Sequence, residues 1–292
     1  MPMTEIVFLS SHDYETPATT NYGDCILINT GSELIIYDCG SEEHADSAIS
    51  YMDQHGYKSA KLILSHNDND HFKGIPKLLE QNRVSSIHTL LLLKYKKELL
   101  KRIGDGRKTA RSIAEQILDT YDNIATLSGA SLEDIYKGSS FLCPEVKIVG
   151  PDLDYMLDSV AKLLNTCESD NIDNETIINA TSIQVAVSIG NYSLLLTGDA
   201  SFTAIEDKVR RYDAIQLPHH GKPQQAENIF TKKSDQLSSI YIVSDNTGNT
   251  NGGSDNLDTR GHRVYNTKDS QVVINASSFF TRKYHTGTCL GV

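Results

Sequence analysis

Short apolar runs punctuated by polar turns fill the first ninety positions. IVFLS (6–10), CILIN (25–29) and LIIYD (34–38) have the length and β-branched content of strands, and Thr30, Gly31 and Ser32 between the last two predict a hairpin. A helix is predicted over 43–55. KLILS (61–65) reads as a buried strand; beyond it Phe72, Ile75, Leu78 and Leu79 fall at helical spacing, which starts a helix near His71. SIHTLLLL (86–93) is a further buried strand. The next stretch breaks this style. Residues 94–140 are charged and helix-rich, 152–165 form another helix, and 170–179 are a polar loop, so 94–170 reads as a helical insertion. The strand–helix style then returns. SIQVAVSI (182–189) and YSLLLTG (192–198) are joined by Gly190-Asn191, a good hairpin turn. A helix over 201–211, strand AIQL (214–217), a helix near 223–231 and strand IYIVS (240–244) follow. A Gly/Asn-rich loop (246–256) leads to VVIN (272–275) and a last strand candidate at 279–284. Two β-rich halves with helices outside predict one domain over 1–292, an α/β four-layer αββα sandwich; the pattern by itself also permits other α/β folds.

Composition narrows the class. Hydrophobic residues are 39% and charged residues 22% of the 292, as in a globular protein with a sizeable core. No apolar run approaches the roughly 18–20 residues that cross a bilayer, and MPMTEIVFLS at the start reads as a strand, not an export signal; a cytoplasmic chain is expected. Cys25, Cys39, Cys143, Cys167 and Cys289 are scattered without a CxxC pair, which argues against a disulfide framework and a thiolate zinc site. The net charge of −11 disfavours duplex nucleic acid. Against it stands KYKKELLKRIGDGRKTAR (94–111), with eight Lys/Arg: a solvated helix face, or an anion-attracting rim beside a site.

SHNDNDHFKG (65–74) packs His66, Asp68, Asp70 and His71 into six positions. Two other apolar strands end in metal-binding side chains: SLLLTG in Asp199, and AIQLP in His219-His220-Gly221. Ligands gather beyond the carboxyl ends of strands in open α/β sheets. If these three strands lie side by side, their ends converge. Clustered carboxylates repel one another and are costly to bury unpaired; a divalent cation removes that cost, and imidazole with carboxylate suits zinc, iron or manganese.

These pieces resemble the metallo-β-lactamase superfamily. The His-x-Asp-x-Asp-His form of SHNDNDHFKG is similar to the branch containing the hydrolase domain of ComEC-type competence proteins, as are YGDCILI (22–28), LIIYDCG (34–40), NATSIQVAVSIGNYSLLLTGDA (179–200) and LPHHGK (217–222). The resemblance covers about 1–93 and 179–275 and leaves the helical stretch unexplained. It implies one or two divalent ions, zinc or manganese. His66 and Asp68 would serve the first; Asp70 and His71 the second, with one of His219 or His220; Asp199 would bridge. Asp38 would orient a ligating histidine, and Asp24 is a turn residue or a further carboxylate of the site. Asp70 would orient or accept the proton of the attacking water, because a divalent metal brings bound water to a pKa near 7. Asn179 and Lys222 are candidates for substrate contact. Two departures stand out. Asp68 replaces the commoner histidine, favouring manganese. The third histidine of the first position is missing; Asn179 or Ser182 occupies its region, with His12, His262 and His285 as distant candidates. The loop 246–256 also lacks the branch's histidine, so a proton donor to the leaving group is missing or comes from elsewhere.

The expected activity is phosphodiester hydrolysis on a nucleotide or single-stranded nucleic acid, an anionic substrate. Hydrolysis of an ester, thioester or lactone is the alternative within enzymes, and a non-catalytic binding module with a degenerate metal site the alternative outside them. The helical insertion is a candidate dimer surface or an active-site lid.

Overall fold

The structure is a computed structural model that describes residues 4–10, 23–165, 171–244, 254, 256–268 and 270–280. The chain runs through β1 (Glu5–Phe8), β2 (Ile26–Asn29), β3 (Leu34–Tyr37), α1 (Glu42–His55), β4 (Ala60–Ile63), α2 (Asn69–Phe72), α3 (Ile75–Glu80) and β5 (Val84–Thr89). The segment between the halves holds α4 (Lys96–Ile103), α5 (Ala110–Thr120), α6 (Asp122–Thr126), β6 (Ser131–Asp134), β7 (Phe141–Cys143), β8 (Val146–Gly150) and α7 (Leu153–Asn165). Then come β9 (Asn171–Ile172), β10 (Glu175–Thr176), α8 (Ile177–Ala180), β11 (Gln184–Ile189), β12 (Tyr192–Leu196), α9 (Phe202–Ile205), β13 (Ala214–Gln216), α10 (Pro218–Gly221), α11 (Pro223–Lys232), β14 (Ile240–Val243), β15 (Arg263–Asn266) and β16 (Val272–Ile274).

Two seven-stranded sheets result, ordered β16-β1-β2-β3-β4-β5-β6 and β15-β14-β13-β12-β11-β8-β7, with β9 and β10 as a separate hairpin. Strand alternation shows how they stack. On β12, β13 and β14, Leu194, Leu196, Ala214, Ile240 and Ile242 join a core shared with Ile26, Ile36 and Leu62 of the first sheet. Their neighbours Leu195, Ile215, Tyr241 and Val243 face the other way, onto Ile205, Ala226, Ile229 and Phe230 of the covering helices. Strands buried on both faces read as continuous apolar runs. The Tyr37 hydroxyl spans the sandwich and donates to the Ile183 carbonyl at 2.7 Å. This is the predicted αββα arrangement.

The structure revises several details. The two hairpins form as predicted, β2 with β3 and β11 with β12. The stretch 94–170 is helical only in part: β6 extends the first sheet, and β7 and β8 close the second. Alternating, weakly apolar residues such as SLED and VKIVG hid these strands. The helix expected over 201–211 is a single turn, α9, followed by a 3-10 turn at Val209–Arg211. Residues Ala276–Phe279 form a 3-10 turn, and 281–284 lie outside the described residues. Cys25, Cys39 and Cys143 are buried free thiols; Cys167 and Cys289 lie outside the described residues. Among the described residues no helix is long and apolar enough to cross a membrane.

Candidate metal centre

The three motif-bearing strands do not share a sheet. β4 belongs to the first, whereas β12 and β13 are parallel neighbours in the second. Their carboxyl ends nevertheless meet, because the two sheets stack with those ends at one edge of the sandwich.

Beyond β4, the loop is shaped by Asp38, a fully buried residue with left-handed backbone (φ 58°) at the end of β3. Its carboxylate accepts from the Ser65 amide at 2.7 Å, the Ser65 hydroxyl at 2.6 Å and His71 Nδ1 at 2.8 Å. Ser65 has one proton and gives it to Asp38, so its oxygen accepts from His66 Nδ1–H at 2.9 Å. Gly23 lets the loop close: a Cβ there would stand 1.5 Å from the Asp70 carbonyl oxygen.

Beyond β12, Thr197 and Gly198 donate their amides to Gln216 Oε1 at 3.1 and 3.3 Å, which fixes the approach to Asp199. Gln216 in turn donates from Nε2 to Asp24. Beyond β13, His219 and His220 both adopt left-handed backbone (φ 50° and 53°). Non-glycine residues there store about 1–3 kcal/mol of strain each, characteristic of functional sites. His220 Nδ1 donates to the Ser244 carbonyl at 2.8 Å, and His219 Nδ1 to Glu175.

Each of the four imidazoles therefore commits its Nδ1 proton to a fixed acceptor and turns Nε2 inward. The inward atoms surround Asp199. His71 Nε2 is 3.4 Å from Asp199 Oδ1; His66, His219 and His220 Nε2 are 3.9, 3.8 and 3.9 Å from Oδ2. His220 Nε2 is also 3.3 Å from Asp70 Oδ2, and His66 Nε2 is 3.8 Å from Asp68 Oδ2. Buried His66 Nε2, His71 Nε2 and Asp199 Oδ1 have no hydrogen-bond partner among the described residues. Donor atoms of His66, His71 and Asp199 lie within 4.8 Å of one another, as do those of Asp70, His71 and His220. Lone pairs aimed at a shared point, each fixed from behind, suit a divalent cation.

The electrostatics agree. Burial works against charge on His71, but Asp199 and Asp38 outweigh it and push its pKa well above the imidazole range. His220 behaves alike, burial being overcome by Asp199, Asp24 and Asp70. Asp199 and Asp70 are held well below the carboxylate range: His219, His71 and His220 overcome burial at Asp199, and His220 and His71 do so at Asp70. Without a cation, protons on histidine must balance the carboxylates.

All seven residues read as metal ligands come together here, and both His219 and His220 face Asp199. Asp24, weighed as a turn residue, places Oδ1 3.5 Å from His220 Nδ1. The two residues read as substrate contacts are both engaged by the protein itself. Asn179 donates its amide to Asp199 Oδ2 at 3.3 Å while its oxygen accepts from Thr176 at 2.6 Å. Lys222 pairs with buried Glu175 at 2.9 Å. His262 stacks on Phe230, ring centroids 4.3 Å apart, in the outer core, and His12 and His285 lie outside the described residues. Sequence reasoning missed Glu175, Ser65 and Gln216. Of these only Gln216, a polar residue inside an apolar strand, carried a signal.

An open groove of about 380 Å³ adjoins the centre, lined by Asn67, Asp68, Asn69, Asp70, Lys73, Asp122 and Asn123. Asn67 fixes the helical segment to the metal loop: its oxygen accepts from the Ile124 amide at 3.1 Å and its nitrogen donates to Asp122 at 3.0 Å. The basic stretch 94–111 supplies none of the groove's lining. Arg102 pairs with Asp154 and Asp158, Arg107 with Asp105, and Arg111 with Glu115. Those three pairings suit the solvated-face reading of that stretch.

The sequence model of the metallo-beta-lactamase superfamily matches residues 18–244. Among solved structures, the chain is similar to the metallo-beta-lactamase fold protein YhfI from Bacillus subtilis, at 13% identity and TM-score 0.52, covering 93% of this chain and 99% of that one. It is similar to Tm1679, a metal-dependent hydrolase of the beta-lactamase superfamily, at 10% identity and TM-score 0.50, covering 93% and 98%. Zinc-bound PqqB from Methylobacterium extorquens matches at 13% identity and TM-score 0.50, covering 93% and 99%. At these identities the likeness is one of fold. No curated protein matches the sequence. The matched family spans both halves of the sandwich and every residue of the centre, and the chain belongs to the metallo-beta-lactamase superfamily.

Proposed function

We propose that this metal-dependent hydrolase cuts a phosphodiester, in a nucleotide or a short single-stranded nucleic acid, with two divalent ions of zinc or manganese. The observation that carries this reading is the pair of donor sets at Asp199: Asp70, His71 and His220 in one, His66, His71 and Asp199 in the other, with Asp68 beside His66 and His219 beside Asp199. Divalent ions held there supply a Lewis acid for phosphoryl oxygens and make water acidic enough to attack at neutral pH. The chain's own groups do the rest. Asp70 belongs to both the centre and the groove, and its lowered pKa keeps it ionised, so it accepts a hydrogen bond from the attacking water and aims it. Lys73, the cation among the described groove residues, meets the phosphate charge. Asp68 and Asp122 on the same walls disfavour a polyanion, which supports a small substrate. The His-x-Asp-x-Asp-His loop and the His-His-Gly turn support a place beside the competence-hydrolase branch. A dimer through 94–170 would use exposed Leu118, Phe141 and Leu153, and gel filtration tests it.

The acidic lining also favours a second reading, hydrolysis of a neutral ester, thioester or lactone. A panel separates the two: bis-nitrophenyl phosphate, cyclic nucleotides and single-stranded oligonucleotides against nitrophenyl esters and lactones, with protein loaded with zinc or manganese. Phosphodiester turnover that Asp70→Ala abolishes is expected. Ester turnover with untouched phosphodiesters overturns the first reading, and no turnover at all favours a binding module.

A further inference from the structure

On the outer face of the second sheet the covering helices stop short of one edge. Residues directly paired across strands share a face, and the row Ile215, Leu195, Ala186, Lys147 crosses from β13 through β12 and β11 to β8. Ile215 and Leu195 are fully buried in the outer core with Ala226, Ile229 and Phe230. Ala186 is half-buried and Lys147 is exposed. The opposite face of β8 lies in the core between the sheets, through Val146 and Ile148. The step from Ile and Leu to Ala lowers the floor where the helices end. The result is a hollow of about 700 Å³, a size that suits a small molecule. It shares no lining residue with the groove beside the metal centre.

The two depressions differ in charge. Lys147, Lys208 and Arg211 line the hollow against one carboxylate, Asp152. The groove has Asp68, Asp70 and Asp122 against Lys73, in keeping with a chain of net charge −11. The three cations of the hollow keep charge to spare. Among the described residues Lys147 pairs with no carboxylate; its Nζ stands 5.0 Å from the Phe141 ring centroid. One carboxylate, Asp207, serves both other cations, Lys208 at 3.0 Å and Arg211 at 3.8 Å. Lys208 Nζ also donates to the Ala204 carbonyl at 2.9 Å, which fixes it and leaves one of its three N–H donors. Asp152 accepts from the Asp154 and Tyr155 amides at 2.9 and 3.3 Å, and the start of α7 offsets its charge. Apolar surface completes the lining. Val149 and Leu153 contribute to it, as do the rings of Tyr136 and Tyr212, and the Tyr136 hydroxyl is held by the Pro151 carbonyl at 3.1 Å. Arg and Lys donors suit phosphate oxygens, and aromatic surface suits a flat ring.

We infer that this hollow is a second binding site, for a small organic phosphate that carries a flat ring: Lys147 and Arg211 meet the phosphate, and Ala186 leaves room for the ring. The site stands apart from the reaction assigned to the metal centre and does not depend on it. The test titrates AMP into the metal-loaded protein by calorimetry, with adenosine and inorganic phosphate as separate arms. Three variants accompany wild type: Ala186→Leu, which fills the floor with the residue its neighbours carry; Lys147→Glu combined with Arg211→Glu; and Asp70→Ala in the other groove. Circular dichroism checks that each is folded. Wild type should bind AMP, and adenosine and phosphate each about tenfold more weakly or worse. The charge reversal and Ala186→Leu should each weaken AMP by about tenfold or more, while Asp70→Ala leaves its binding in place. No AMP binding to wild type, or unchanged binding in either folded variant of the hollow, would overturn the inference. If Ala186→Leu does not fold, the charge reversal, which changes exposed side chains only, decides alone. Binding lost in Asp70→Ala and kept in the others would put the nucleotide in the groove and overturn it likewise. Adenosine as tight as AMP would remove the cations' role, and phosphate as tight would remove the ring's; either result overturns the ligand class.

Discussion

The two flanks of Asp199 are built to different standards. On one, the side chains of His71 and His220 are fully buried and that of Asp70 is 13% exposed; Asp38 and the Ser244 carbonyl hold the two rings from behind. On the other, beside His66, Asp68 is 40% exposed in its side chain and lines the open groove. Donors already held in place lose little freedom when they grip an ion, whereas a mobile, hydrated carboxylate must be desolvated and ordered. On the two-ion reading proposed above, the difference implies one ion held as part of the architecture and a second that exchanges beside the substrate.

Asp199 is the element the flanks share, so its loss is the severest way to break the comparison. Asp199→Ala should remove both ions, leave His66, His71, His219 and His220 repelling one another when protonated, and reduce turnover by more than the about 10–100-fold that outer partners of ligands cost. Metal analysis with a turnover assay checks it. One ion retained in the variant would mean that the flanks are independent.

Asp38→Asn comes next; it acts directly on the buried flank through His71 and reaches His66 only through Ser65. The amide keeps the shape but no longer offers two anionic oxygens to Ser65 and His71. Affinity of the tighter ion should fall by about 10–100-fold, read by chelator competition, with the looser ion affected less. An equal effect on both would show that the asymmetry is not structural.

Acidity offers a third test. The raised pKa values of His71 and His220 contribute stability to the metal-free protein that is complete below the unfolded imidazole value of about 6.5 and is lost as pH rises through the folded values. The lowered values of Asp199 and Asp70 contribute stability present above the unfolded carboxylate value of about 3.9 and lost as pH falls through the folded ones. Metal-free protein should therefore be most stable between about pH 4 and 6.5 and weaken above. Ions displace the histidine protons, so their stabilisation grows over the same rise. Thermal unfolding with and without manganese from pH 6 to 9 should show a widening gap in Tm; a constant gap would mean that no protons are exchanged for metal.

How far the sequence disclosed this asymmetry depends on what each residue does. The convergence of candidate ligands was legible because chemistry limits their types: His66, Asp68, Asp70, His71, Asp199 and the two adjacent histidines stand where apolar strands end. The sandwich was legible from strands apolar on both faces. The supports were not. Glu175 lies in an ordinary acidic loop, and only the folded hairpin carries it 44 positions along the chain to His219. Ser65 matters through one hydroxyl, and β6, β7 and β8 lack the apolar runs that announced the other strands. The choice between His219 and His220 could not be made from spacing, because left-handed backbone at both turns each ring toward the same carboxylate.

The smallest expected effect sharpens the comparison instead of breaking it. Asp68 lies on the open flank and is partly solvated, so Asp68→His should fold and should leave the buried flank untouched. An imidazole in its place exchanges a hard oxygen donor for a softer nitrogen one; zinc favours the latter, and manganese the former. The ratio of zinc to manganese affinity at the looser position should rise, by about tenfold if the change is worth roughly 1.4 kcal/mol, while the ratio at the tighter position stays fixed. Competitive loading with both metals, followed by plasma mass spectrometry, reads the two ratios. A shift at both positions would mean that Asp68 acts through Asp199 on the whole centre. A shift at neither would place Asp68 among the groove walls, leaving His66, His71 and Asp199 to hold the outer ion without it.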